Sequence, residues 1–317
     1  MTSTRRSFIR HTGLALTAAA LLPRATRAAD DEPKPAAAPN PFGGKLETIQ
    51  LEPGVHVLMG AGGNVLVSGD ADHLLVIDAG IPQRGSEVLA EAEKLIPNAR
   101  RKTLIDTHWH FDHAGGNAAF AAAGFSIVAS TATRTRLGQR INFEDLGMVI
   151  DPSPESAWPI ATFDDRLTLH AGPLGPVTLT KFKPAHTDTD IIAVFEKHGI
   201  LHTGDLLFAR AFPVFDRSTG GSLNGYLAAT KTLLAMVDDK TRVVPGHGAM
   251  STKAELTAQH DLLRLTQDRL APFADKKLPM QEVLDKQPFA DLDDKWGRGF
   301  VRSPLYTKMA YGQWIAK

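Results

Sequence analysis

Cysteine is absent from the 317 residues of this chain, so the protein forms no disulfide bond, and this absence fits any redox compartment. The 35 basic residues (Lys and Arg) equal the 35 acidic ones in number, and no block of Lys and Arg occurs. The electrostatic footprint of a protein that binds nucleic acid or a membrane surface is therefore missing. The apolar stretch near the N-terminus, residues 13–22, is well short of the roughly 20 residues that span a bilayer as a helix. We expect no nucleic-acid partner and no membrane anchor.

The first 29 residues have the pattern of an export signal. Arg5 and Arg6 stand in Thr-Arg-Arg-Ser-Phe, which resembles a twin-arginine signal, and an apolar stretch then leads to small residues that end near Ala28 or Ala29. The alternative is a basic tail. The signal predicts transient contact with the twin-arginine export machinery and a periplasmic or secreted mature protein. Because this route carries folded proteins, metals could be loaded in the cytoplasm before export.

The rest of the chain indicates a linker and one large domain. Residues 30–44 are rich in Pro and Ala without apolar periodicity, which is typical of a flexible linker, and residues 45–317 form the predicted domain. Residues 1–29 contain five arginines and no acidic residue. The rest of the chain therefore has 30 basic and 35 acidic side chains, a net charge of about −5. No repeat is evident, and no oligomeric state is predicted. Strand patterns cover 55–59, 64–68 and 73–77, and helix patterns cover 86–95, 117–123, 132–140, 225–237 and 254–270.

Four residues with metal-ligand side chains follow a short apolar run, Thr103-Leu104-Ile105. They occur in Thr-His-Trp-His-Phe-Asp-His as His108, His110, Asp112 and His113. In an extended or turning backbone alternate residues point the same way, so two of the histidines can reach one ion while Asp112 and His113 reach a second. The alternative is a histidine-rich surface turn. The spacing favours a metal site.

Two ions need more protein ligands than one loop supplies, because zinc takes about four ligands and a catalytic ion keeps a position for water. Three further segments have suitable side chains: His186 in a turn after residues 177–180, Asp205 after the apolar run 200–201, and His247 in Pro-Gly-His-Gly. Each stands at the end of a hydrophobic strand pattern, where sheets present functional loops. Taken together and in this order, they strengthen the prediction of a metal centre.

At this point the chain resembles the metallo-β-lactamase superfamily, over roughly residues 51–265. The motifs that carry the resemblance are His-x-His-x-Asp-His, a later His, an Asp in a Gly-Asp pair, and a His in a Gly-His turn. The resemblance implies an α/β fold, the four-layer αβ/βα sandwich, with the metals at the shared edge of the two sheets. It also implies two Zn²⁺ per chain, with these ligands: His108, His110 and His186 for the first ion, Asp112, His113 and His247 for the second, and Asp205 as the bridge.

The resemblance further implies supporting residues around the ligands. Asp78 matches an aspartate that supports the site from behind, although a strand-end turn residue is an equal alternative. Asp106, Asp188 and Asp190 are further candidates to orient the histidines, with loop capping the preferred role of Asp190. Asp205 stands where one group of β-lactamases has a cysteine thiolate. The ligand set is therefore similar to that of glyoxalase II enzymes and lactonases, and antibiotic hydrolysis is less expected as the main role.

Two such ions would lower the pKa of a shared water and make hydroxide available near neutral pH. The natural reaction is hydrolysis of an ester, thioester, lactone or lactam in a small-molecule substrate, with Asp112 binding metal and orienting the hydroxide. Two alternatives are a mononuclear iron oxidoreductase similar to persulfide dioxygenases, and a non-catalytic binding protein. Metal content separates the first of these from a zinc hydrolase.

The sequence leaves the substrate open. Residues 141–159 form either a loop over the site or a solvated connection. Arg210, Phe212 and Phe215 could line a pocket, although core packing is preferred for the two phenylalanines. Packing is also preferred over a substrate wall for the C-terminal aromatic residues, which are Trp296, Phe300, Tyr306, Tyr311 and Trp314.

Overall fold

Short apolar runs form strands, and longer amphipathic segments form helices, throughout the described part of the protein. The structure is a computed structural model and describes residues 44–170 and 175–315, all within one compact unit, Pro39–Lys317. The predicted export signal and residues 30–43 of the linker lie outside the described residues, so the division of residues 1–44 stays a prediction.

The strands, in chain order, are β1 (Glu47–Glu52), β2 (Val55–Met59), β3 (Val65–Gly69), β4 (His73–Ile77), β5 (Arg101–Ile105), β6 (Ser126–Ser130), β7 (Ile141–Phe143), β8 (Met148–Ile150), β9 (Ala161–Phe163), β10 (Arg166–His170), β11 (Pro176–Lys181), β12 (Ile191–Phe195), β13 (Ile200–His202) and β14 (Arg242–Val244). The α-helices are α1 (Gly85–Leu95), α2 (Asn117–Ala122), α3 (Thr131–Leu137), α4 (Leu223–Met236), α5 (Lys253–Asp275), α6 (Met280–Asp285), α7 (Asp293–Trp296) and α8 (Ser303–Ile315).

Two main sheets contain most of these strands. Within the described residues, one sheet has the order β1-β2-β3-β4-β5-β6-β9 and the other β10-β11-β12-β13-β14, while β7 and β8 form a separate hairpin. The pairs β4·β5, β5·β6 and β13·β14 are parallel. The carboxyl ends of these parallel neighbours therefore meet at one edge of each sheet, which is where α/β proteins place their binding loops.

Three apolar cores separate four layers. Side chains of both sheets, such as Leu75 and Val177, pack face to face in the central core. The outer face of the first sheet packs on α1 and α2 through Val88 and Phe120, and the second sheet packs on α4 and α5, for example through Leu233. Strands β3 and β4 are buried on both faces for this reason. The predicted α/β four-layer sandwich is confirmed.

The C-terminal region adds a further apolar core on α5. Trp296, Tyr306 and Tyr311 are buried there, as are Phe212 and Phe215 of the loop after β13, so core packing is confirmed for these five aromatic residues. None of the helices in residues 44–170 and 175–315 combines the length and apolar character needed to cross a membrane.

Phe300 differs from the buried aromatic residues of the C-terminal region because 54% of it is exposed. The preferred core packing is therefore wrong for Phe300, which stands at the surface of the C-terminal region.

Candidate metal centre

The loops after five strands converge at one edge of the sandwich. His108, His110, Asp112 and His113 follow β5, and His186 lies between β11 and β12. Asp205 and His247 follow the parallel neighbours β13 and β14, and Asp78 follows β4. Because strand ends set the position of each loop, residues that are up to 169 positions apart in sequence, Asp78 and His247, meet in one site.

The first of two ligand groups contains His108, His110, His186 and Asp205, whose donor atoms lie within 4.8 Å of one another. The Nε2 atom of His186 is 2.9 Å from Nδ1 of His110 and 3.3 Å from Oδ2 of Asp205. Nε2 of His108 lies 3.8 Å from the same carboxylate oxygen. Three imidazole nitrogens and one carboxylate oxygen therefore face a common point.

The second group contains Asp112, His113 and His247. The Nε2 atom of His247 lies 3.1 Å from Oδ2 of Asp112 and 3.2 Å from Nε2 of His113. The other oxygen of Asp205, Oδ1, lies 3.1 Å from Nε2 of His113 and 3.4 Å from Nε2 of His247. Asp205 thus presents one oxygen to each group, which is the arrangement expected of a bridging carboxylate.

Outer contacts hold three of these rings by the nitrogen that faces away from the cluster. Nδ1 of His113 lies 2.7 Å from Oδ2 of Asp78, and Nε2 of His110 lies 3.1 Å from Oδ2 of Asp216. Nδ1 of His186 lies 2.9 Å from the carbonyl oxygen of Val214. Such partners select the tautomer that leaves the inward nitrogen free to bind a metal.

His108 is held in the same way by its neighbour. Thr107 donates its hydroxyl to Asp78 (2.9 Å), and its oxygen lies 3.0 Å from Nδ1 of His108, from which it can accept. The inward Nε2 of His108 is buried and has no hydrogen-bond partner within the described residues. A buried polar atom without a partner is unfavourable, and a bound cation would supply the missing contact. The site therefore fits a metal.

The charges of the cluster favour a cation. Burial lowers the pKa of His247, but Asp205 and Asp112 outweigh this effect and raise the pKa to about 9. Burial likewise lowers the pKa of His113, and Asp205 and Asp78 raise it well above its ordinary value. For His186 burial dominates and lowers the pKa to about 4, so this imidazole is neutral and ready to bind a metal at neutral pH.

Two glycines allow the chain to pass close to these side chains. A Cβ atom at Gly63 would collide with the ring of His113, and one at Gly246 would collide with Oδ1 of Asp205. Both positions therefore require glycine for close packing around the site.

The seven predicted ligands all come together, whereas the predicted supporting residues have different roles. Asp78 contacts His113 as expected. Asp190 caps its loop by accepting the backbone N–H groups of His186 and Thr187. Asp188 pairs with Arg136 at 2.6 Å rather than with a histidine.

The carboxylate of Asp106 accepts a hydrogen bond from the side chain of Asn117 rather than from a histidine ring. Burial raises its pKa well above the ordinary value. Sequence reasoning missed Asp216, which supports His110. Ser-Thr-Gly, at residues 218–220, indicates a turn, and Asp216 accepts a hydrogen bond from Ser218 there. No local pattern predicts its contact with a residue 106 positions earlier.

A cavity of about 470 Å³ lies over the centre. His110, Asp112, His186, Asp205 and His247 line it. Of the seven candidate ligands, the side chain of His247 is 24% exposed and that of Asp112 is 11% exposed, while those of His113 and His186 are almost fully buried. A substrate entering the cavity would therefore approach the centre from the side of His247 and Asp112.

Comparison with known proteins gives consistent results. A family model described as the metallo-beta-lactamase superfamily matches residues 59–247, more than half of the chain and a range that includes all seven candidate ligands. A metallo-beta-lactamase from Pontibacter korlensis is similar at 21% identity and a TM-score of 0.55, over 69% of this chain and 99% of that chain. The DIM-1 metallo-beta-lactamase is similar at 18% identity and a TM-score of 0.55, over 70% and 98%. At such identities the likeness establishes a shared fold.

Proposed function

Because the chain belongs to the metallo-beta-lactamase superfamily and is a metal-dependent hydrolase, we propose that it is an exported dinuclear zinc enzyme. Its proposed reaction is hydrolysis of an ester, thioester, lactone or lactam in a small-molecule substrate. The observation that carries the proposal is the position of Asp205, whose two oxygens face two separate groups of ligand side chains.

The donor set supports zinc as the metal. Five imidazoles and two carboxylates provide nitrogen and oxygen ligands, and the chain has no thiolate to offer. Zinc is commonly bound by such ligands. When bound, divalent ions supply Lewis acidity and lower the pKa of coordinated water towards neutrality.

The residues of the chain would then bind, orient and protect the reacting groups. Burial raises the pKa of Asp112, but His113 and His247 outweigh it and hold the pKa at about 2, so the carboxylate is ionised at neutral pH. Its partly exposed side chain can accept a hydrogen bond from the nucleophilic water and fix its direction. A substrate seated against the apolar walls of the cavity would exclude other water molecules.

The second ligand group argues against the mononuclear iron alternative. A single ion in the first group would leave Asp112, His113 and His247 without a metal, although the structure brings their donor atoms together. Proposed export by the twin-arginine route is supported by the N-terminal sequence alone, since residues 1–43 lie outside the described part of the chain.

Elemental analysis of the protein purified with excess zinc tests the proposal, and we expect two zinc ions per chain. Turnover is then measured on a panel of lactams, lactones and thioesters, with chelator-stripped protein and zinc-restored protein as matched samples. Activity should disappear and return with zinc. One metal per chain, or tightly bound iron as the sole active metal, contradicts the dinuclear zinc proposal.

A further inference from the structure

The cavity over the candidate metal centre has walls of a specific chemical kind. We infer that the substrate carries an apolar acyl group of more than two carbons, which is seated in this cavity while its carbonyl lies over the centre. The inference rests on the proposed function, because it identifies the cavity as the acyl site of a hydrolase.

Three segments of the chain form most of the walls. They are the β7–β8 hairpin, the loop after Asp205, and the segment before α8, and the apolar side chains among them include Phe143, Leu146, Met148, Phe208, Phe300 and Val301. The hairpin lies in residues 141–159, for which the sequence left open a role at the site.

Polar side chains in the cavity are restricted to two places. The floor has the five ligand candidates, and the remaining polar lining side chains among the described residues are two exposed arginines, Arg210 and Arg298. Away from these two arginines, a polar group on the acyl chain would lose its contacts with water at the apolar walls without gaining a partner. An alkyl or aryl chain would instead bury apolar surface there.

The cavity is much larger than a small acyl group. An acetyl group has roughly the volume of two or three water molecules, at about 30 Å³ each. It would therefore fill less than roughly a quarter of the 470 Å³. Cavities in the range of about 300–1,000 Å³ bury most of a drug-sized ligand. The observed volume therefore favours longer chains.

Phe300 is the specificity residue that this geometry identifies. It lines the cavity, it is 54% exposed, and it lies beyond the residues 59–247 that match the family. An exposed aromatic side chain beside a functional cavity would lose contact with water when an apolar ligand covers it. Ile160 is 74% exposed but does not line this cavity, so it offers a matched control.

Binding can be measured without turnover. Straight-chain hydroxamates with two, four, six and eight acyl carbons share one polar end, and calorimetry on zinc-replete protein gives their Kd values. We expect Kd to fall by about fourfold for each methylene that becomes buried. Ile160→Ala and Phe300→Leu should retain this dependence, whereas Phe300→Asp should weaken it. A Kd independent of chain length, or an unchanged dependence in Phe300→Asp, overturns the inference.

Turnover separates this inference from the proposed function. The substrates are the p-nitrophenyl esters of acetate, butyrate, hexanoate and octanoate, and kcat/KM should rise with chain length in the parent but less in Phe300→Asp. Chain-length-dependent hydroxamate binding without hydrolysis of any ester or panel compound would retain the acyl site and reject the hydrolase. Hydrolysis with no preference for chain length would reject the acyl site and retain the hydrolase.

Discussion

The substitution Asp216→Asn tests how the chain prepares its first ligand group. The carboxylate of Asp216 is buried, and its Oδ2 lies 3.1 Å from Nε2 of His110 and also accepts from the hydroxyl of Thr219. Its Oδ1 accepts from the backbone N–H of Ser218 at 3.0 Å. Burial raises the pKa of Asp216, but its contact with His110 and the turn hydroxyls lower it strongly, so the group is ionised at neutral pH.

An amide cannot replace both oxygens of this carboxylate. In either orientation of the asparagine, its NH₂ group faces a group that donates a hydrogen bond to Asp216 in the parent protein. If the NH₂ group faces His110, the ring keeps a contact only when Nε2 becomes the acceptor. The proton then moves to Nδ1, which is the nitrogen that lies 2.9 Å from His186 in the first ligand group. A protonated nitrogen cannot bind a metal.

We expect Asp216→Asn to weaken metal binding at the first group by about 10-fold to 100-fold, which is the usual effect of removing such a partner. This range corresponds to about 1.4–2.7 kcal/mol. Zinc titration against a competing chelator would show one weakened site and one unchanged site. Asp188→Asn is the matched control, because Asp188 is a partly buried aspartate of a nearby loop that pairs with Arg136. Two unchanged affinities in Asp216→Asn would refute the reasoning.

Four other perturbations address the ligands and the export signal. Asp205→Ala should weaken zinc binding at both sites, because two cations then repel each other without a carboxylate between them. Asp205→Cys should have a smaller effect. If titration showed unchanged affinities in Asp205→Ala, the role of Asp205 would be structural only. In fully metallated Asp112→Asn, kcat should fall strongly while KM changes little. A kcat equal to that of the parent would mean that Asp112 acts as a ligand only. With its pKa raised to about 9, His247 is protonated at pH 7, so zinc uptake should release protons and tighten as pH rises towards 9; calorimetric heats that do not depend on buffer would contradict this. Replacing Arg5 and Arg6 by Lys should trap precursor in the cytoplasm, and normal periplasmic yield in fractionation would indicate another route.

Regular apolar patterns made much of the fold predictable. Strands β2 and β4 have the predicted bounds, 55–59 and 73–77, because most of their residues are Val, Leu or Ile and nearly all are buried. Strand β1 was missed, since Glu47–Glu52 is a largely exposed edge strand with charged ends and little apolar signal. The β7–β8 hairpin was missed for a related reason, because each strand has only three residues.

The candidate site divides in the same way. Ligand side chains and their order were predictable, because a metal requires particular donor atoms and the strand ends that carry them are marked by local apolar runs. Asp216 and Phe300 were not assigned to the site from sequence. Their roles come from contacts across the tertiary structure. Asp216 contacts the ring of His110, 106 residues earlier in the chain, and Phe300 lines a cavity whose walls come mostly from three segments. Donor chemistry belongs to single residues and is therefore present in the sequence, whereas the tautomer of a ring and the shape of a cavity depend on neighbours that only the packing of the layers brings together.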